Sequence, residues 1–111
     1  MNRFEEKITQ YHSEMNKLGI PFDARLLAKV TKGIGPSIYK TDAERVSGSD
    51  ERELETVKNN FLIKKLGLED GEYLDRAIVS VLQKFGKSNR NKYRAIFYYL
   101  LVKELGQEAK F

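Results

Sequence analysis

The sequence predicts an all-α protein, a single compact domain of about five helices with the last helix at its centre. Apolar residues recur at three- and four-residue spacings over long stretches. No stretch keeps the period of two that a half-buried strand requires. Only two Pro and eight Gly interrupt the 111 residues, which favours long regular elements. A chain of this length makes one domain, 1–111, and buries roughly two-thirds of its unfolded surface, enough for a core without staples.

The first helix runs from about Arg3 to Leu18, with Asn2 as cap. Phe4, Ile8, Tyr11, Met15 and Leu18 form one apolar stripe, Gly19 stops it, and Pro21 forces the chain out. Asp23 caps a shorter helix through about Thr31, with Leu26, Leu27 and Val30 facing inward. Lys32 to Ser37 is a turn-rich connector, and a loop with at most one helical turn follows from Ile38 to Gly48. Ser49 or Asp50 caps a third helix, Asp50 and Glu53 having the spacing of a capping box. That helix extends to Leu66, buries Leu54, Val57, Phe61 and Leu62, and stops at Gly67. In the fourth, Leu74, Ala77, Ile78, Val81, Leu82 and Phe85 follow the amphipathic template without a miss. Glu69, Asp70 and Glu72 make its start acidic, as the helix dipole favours, and Gly86 ends it. Ser88 or Asn89 caps the fifth helix, which runs to about Leu105. It is apolar on every face from Ala95 to Val102, the mark of a core element or an interface.

The hydrophobic content of 41% and charged content of 32% belong to a soluble globular protein, not a disordered tail. No Cys is present, so disulfides and thiolate chemistry are excluded. Met1 to Lys17 mixes charges with apolar residues, unlike a signal peptide. The longest apolar run, Ala95 to Val102, falls far short of the ~20 residues of a membrane span. These features predict a soluble, cytoplasmic protein that does not enter membranes.

Several runs together resemble a known family. They are Lys29-Val30-Thr31, Gly33-Ile34-Gly35-Pro36-Ser37-Ile38-Tyr39, Val46-Ser47-Gly48-Ser49-Asp50 and Asn60-Phe61-Leu62-Ile63-Lys64-Lys65-Leu66-Gly67-Leu68. Ser88-Asn89-Arg90-Asn91-Lys92-Tyr93-Arg94 and Phe97-Tyr98-Tyr99-Leu100-Leu101 complete the set. They are similar to a family of small bacterial all-helical proteins catalogued as a domain of unknown function. The resemblance covers roughly Leu26 to Leu101; it implies the helical fold and a bacterial source, and assigns no activity or site.

Charge gives the functional lead. From Arg76 to Lys103 there are seven basic residues and no Asp or Glu; in chain order the net charges before, within and after this segment are −2, +7 and −1. A one-sign patch can hold an anion, whereas a mixed surface mostly holds water. Cations crowded at a helix start oppose its dipole, an arrangement that makes sense when an anion sits there. Lys84, Lys87, Ser88, Asn89, Arg90, Asn91, Lys92 and Arg94 are therefore the candidate anion-binding residues, with nucleic acid or an acidic protein surface as partner. The bland alternative is that they are solvated, or pair with the acidic stretch from Asp50 to Glu55. Tyr93, Phe97 and Leu100 share a core stripe, which leaves Tyr98, Tyr99 and Val102 as the candidate interface for a partner or a homo-oligomer.

Other motifs carry less. Gly33 to Pro36 has the look of the hairpin in helix-hairpin-helix DNA-binding modules, but bulky Tyr39 and charged Asp42 stand where small and apolar residues belong. It also lacks the Gly-Lys-Ser/Thr ending of a P-loop. His12 is the sole histidine, on the outer side of the first helix. Glu51, Glu53 and Glu55 alternate and do not converge on one helix face. No catalytic constellation, metal site or cofactor is expected, and the protein reads as a binding module, not an enzyme.

Overall fold

A computed structural model describes residues 2–111 and contains five α-helices: α1 (Arg3–Leu18), α2 (Ala24–Ile34), α3 (Glu51–Thr56), α4 (Glu72–Phe85) and α5 (Arg94–Glu104). Short 3₁₀ turns lie at Gly35–Tyr39 and Glu108–Lys110, and α3 continues into a π-helix at Val57–Lys65. The class is all-α, with no strand among the described residues. The nearest thing to a sheet is an isolated bridge between Arg45 and Tyr93.

Local chemistry explains the boundaries that agree with the sequence. The Asn2 side chain accepts from the Glu5 N–H at 2.8 Å, and Gly19 leaves α1 with φ 69°, a left-handed value that favours glycine. Asp23 accepts from the N–H groups of Arg25 and Leu26, and Asp50 from those of Arg52 and Glu53. α2 runs three residues past Thr31, through Gly33, until Gly35 at φ 81° and ψ −151° turns the chain. The Gly33-Ile34-Gly35-Pro36 run is thus a helix end and a 3₁₀ turn. No second helix follows it before α3, so it is not a helix-hairpin-helix.

The third helix differs from its expected form. Val57, Phe61, Leu62 and Leu66 are all buried, yet Val57 and Leu66 are nine residues apart. On an α-helix that separation is about two and a half turns and sends them to opposite sides. The wider turn of an i→i+5 ladder brings nine residues close to two turns, so all four side chains face the core. Leu54, one turn earlier, is only half-buried. Ahead of α4, Glu69 and Asp70 lie outside the helix, whose acidic first turn is Glu72 and Asp75. Asp70 and Asp75 instead hold Lys58 from the π-helix, at 3.1 and 3.2 Å.

α5 is the central element. Every residue from Ala95 to Val102 is buried, and the helix packs against α1, α2 and α4. Tyr98, Tyr99 and Val102, expected at an interface, are 9%, 1% and 0% exposed. The Tyr98 ring stacks on Phe61 with centroids 4.0 Å apart, and the Tyr99 hydroxyl accepts from the Asp23 N–H at 2.8 Å. Each tyrosine hides its ring while its hydroxyl finds a partner, which is how tyrosine enters a core. A helix apolar on all sides here means enclosure, not an exposed patch.

Tyr11 behaves differently. Its hydroxyl is buried without a hydrogen-bond partner. Burial, then the nearby Glu44 carboxylate, pushes its pKa above the ordinary tyrosine value. The native state therefore keeps this proton when the unfolded chain gives it up, near pH 10. Stability contributed by the neutral form is full below that pH and falls as pH rises through it. Tyr11→Phe removes both the unsatisfied hydroxyl and the titration. We expect it to match or exceed the parent in urea unfolding at neutral pH, and to lose less stability than the parent between neutral pH and about pH 10.5.

Candidate functional site

The loop before α3 and the loop before α5 are joined by backbone pairing. Val46 N–H donates to the Lys92 carbonyl at 2.8 Å and Arg94 N–H to the Glu44 carbonyl at 2.7 Å. The Arg94 side chain then extends the union. Its Nε donates to the Ala43 carbonyl at 2.7 Å, one terminal nitrogen to the Tyr98 hydroxyl at 2.9 Å, and the other to Glu53 Oε1. Burial works against this charge, but Tyr98 and Glu53 beside it hold the guanidinium pKa above its ordinary value. Glu53, expected to reach back toward Asp50, is turned to Arg94; the Asp50 N–H bonds to the Ser47 carbonyl.

These contacts replace the expected start of α5. Asn89 does not cap a helix: its side chain accepts from Asn91 N–H at 2.8 Å, a local turn that leaves residues 86–93 irregular. α5 begins only at Arg94, with no side-chain cap. Most of the basic cluster therefore precedes the helix and does not sit on its dipole.

Between the two joined loops and the outer side of α4 opens a groove of about 1070 Å³. Arg45 to Ser49 form one wall, Lys87 to Arg90 with Lys92 the other, and Val79, Leu82 and Gln83 the floor. Gly48 lies close to both walls: a Cβ there would stand 3.0 Å from Leu82 Cδ2 and 3.1 Å from Lys92 Cε. The lining includes four cationic side chains, Arg45, Lys87, Arg90 and Lys92, and no carboxylate.

The four are not equivalent. Lys92 is 9% exposed; its stem packs on Gly48 and its ammonium donates to the Asn89 carbonyl. Arg45 pairs with Glu44 at 3.0 Å, donates to the Tyr93 hydroxyl at 3.3 Å and covers the Tyr93 ring. Lys87 and Arg90 are exposed and make no ion pair or hydrogen bond among the described residues.

Of the eight residues expected to bind anions, Lys87, Ser88, Asn89, Arg90 and Lys92 line the groove, while Lys84, Asn91 and Arg94 do not. Lys84 pairs with Glu104 at 3.2 Å, on the side where Ser80 also meets Glu104. Arg94 is held by Glu53, so the internal-pairing alternative is realised at that residue. Arg45, Ser47, Gly48, Ser49 and Val79 were missed as site residues. The one available signal was Gly48 between two serines, a sign of close backbone approach. The expected outward-facing His12 is half-buried, its ring 4.9 Å from that of Phe22 and its Nε2 without a partner. Among the described residues no three His, Cys, Asp or Glu side chains come together as a metal site, and no helix is long and apolar enough to cross a membrane.

Fold and site thus define a small all-helical domain with a carboxylate-free cationic groove. Residues 10–109 match the family described as protein of unknown function (DUF2853), and the chain belongs to that family. No curated protein matches the chain.

Because Arg94 serves three partners, its loss should be felt beyond one ion pair. Arg94→Met strands Glu53 and two part-buried acceptors and is expected to cost about 3 kcal/mol in urea unfolding. Arg94→Lys keeps the charge but cannot fork to three acceptors, and should recover less than half of that. A loss below about 1 kcal/mol for Arg94→Met, the level of an exposed pair, would rule out its joining role.

Proposed function

We propose that the protein is a binding module, not an enzyme, and that it takes an anionic partner in the groove between residues 45–49 and 87–92. One observation carries the reading: four cations line the groove without a carboxylate, and Lys87 and Arg90 are left with no internal partner. Lys7, Lys58, Lys84 and Arg94 each pair with a carboxylate, whereas these two stand over a lining that holds none. The hydroxyl side chains of Ser47, Ser49 and Ser88 add donors beside the two free charges. Guanidinium, ammonium and hydroxyl donors suit the oxygens of a phosphate. Nucleic acid is the most concrete form of the partner, and the cytoplasm is where such a module would meet it.

No aromatic ring lines the groove, so bases have no platform on which to stack. Binding through phosphates alone should be insensitive to sequence. Fluorescence anisotropy with duplex oligonucleotides should give a linear fall of log affinity with log salt. Two phosphates met by Lys87 and Arg90 imply a slope near −2. Lys87→Glu with Arg90→Glu should weaken binding by roughly tenfold or more, while Lys84→Glu, outside the groove, should change it little. Absence of binding at low salt would remove the nucleic-acid form of the proposal.

A further inference from the structure

We propose that the outer face of α4 is a self-complementary stripe on which two copies of this chain pair antiparallel, the acidic start of each α4 meeting the groove edge of the other. The inference rests on the groove reading above and names a partner for that site. It moves self-association away from the enclosed α5.

α4 buries Leu74, Ala77, Ile78, Val81 and Phe85. Directly opposite, at i, i+4, i+7 and i+11, stand Glu72, Arg76, Val79 and Gln83, all exposed; past the turn at Gly86, Lys87 lines the groove together with Val79 and Gln83. Val79 is 52% exposed, and Tyr73 is the one other large hydrophobic left exposed among the described residues. At the centre of an outward face, Val79 adds little to its own core. Charge runs along the stripe from Glu72 at one end to Lys87 at the other.

Reversing the stripe about a two-fold axis between Val79 and Ser80 places Arg76 opposite Gln83 of the second copy and Glu72 just past the end of its α4, where Lys87 edges the groove. Val79 then packs on its own counterpart. Two-fold symmetry forms each contact twice. A parallel pairing would set Glu72 on Glu72 and Lys87 on Lys87, so charge selects the antiparallel one, which opposed helix dipoles also favour. Both ends are available. The Glu72 side chain is 91% exposed with only Arg76 near it, at 3.6 Å, and Lys87 has no internal partner. The flanking charges Asp75 and Lys84 are engaged by Lys58 and Glu104 and do not compete. A contact one helix wide is smaller than a permanent interface, so association is weak and salt-sensitive. It also draws on the same Lys87 as an anionic ligand, so a polyanion and the second copy exclude one another.

Sedimentation equilibrium of the full chain at low salt tests this, with Glu72→Lys and Lys87→Glu made singly and then mixed in equal amounts. The parent should show a monomer–dimer equilibrium that moves to monomer as salt rises. Each single variant should dimerise at least roughly tenfold more weakly while keeping the parent's helical circular dichroism. The mixture should recover dimer, since one native pair and one exchanged pair then form together. A parent that stays monomeric to millimolar concentration, a dimer indifferent to both substitutions, or a mixture that fails to recover would each overturn the pairing. Oligonucleotide titration separates the two readings: a monomeric parent that binds duplex in a Lys87-dependent way sinks the pairing alone. A monomeric parent that binds no phosphate sinks the groove with it.

Discussion

The guanidinium of Arg94 binds the loop before α3, the first turn of α3 and the first turn of α5 into one body. It engages Ala43, Glu53 and Tyr98, residues supplied by three separate parts of the chain. A charge this enclosed is costly to bury, and only a planar group with donors on several sides can recover that cost from acceptors spread around it. Tyr98 in turn stacks on Phe61, so the same contact reaches the π-helix. The groove exists because this union stands its two walls side by side. Two backbone bonds, Val46 N–H to Lys92 and Arg94 N–H to Glu44, and the contact of Arg45 with Tyr93 complete the union.

From that union follows a sorting of the positive charges. Cations near a fold-determining contact are held inside it: Arg94 pairs with Glu53, and the Lys92 ammonium donates to the Asn89 carbonyl and keeps its charge. Lys87 and Arg90 on the far wall make no ion pair or hydrogen bond among the described residues. Lys87 and Arg90 are left facing solvent over an apolar floor that includes Val79. Water competes less well for an ion over apolar surface, so these two charges act further into the groove than their exposure suggests.

Much of the helix pattern was legible because it depends on short-range chemistry. Asn2, Asp23 and Asp50 cap through their own neighbours, and Gly19 and Gly86 stop helices by their own backbone. The burial of Leu74, Ala77, Ile78, Val81 and Phe85 follows from periodicity alone. The failures occur where a distant segment decides. Asn89 looks like a helix cap, yet the backbone beyond it is claimed by Arg45 and Val46, so the helix cannot begin until Arg94. The π-helix was hidden because its buried residues also satisfy parts of an α pattern, and only the fixed core surface forces the wider turn. Tyr98 and Tyr99 looked available because a hydroxyl reads as surface until its partner, Arg94 or the Asp23 N–H, is known.

Taken by itself, the sequence determined that the chain is helical, roughly where each helix lies, that the last one is central, and that positive charge gathers in residues 76–103. Those are properties of spacing and composition, which act over a few residues. Tertiary structure alone decided which cations are spent internally and which remain free, and it brought Arg45 and Ser47 to Ser49 opposite Lys87 to Arg90 across some forty residues of chain. Pairing between charges is a matter of distances in space, and no local pattern encodes which carboxylate folding will carry to which guanidinium.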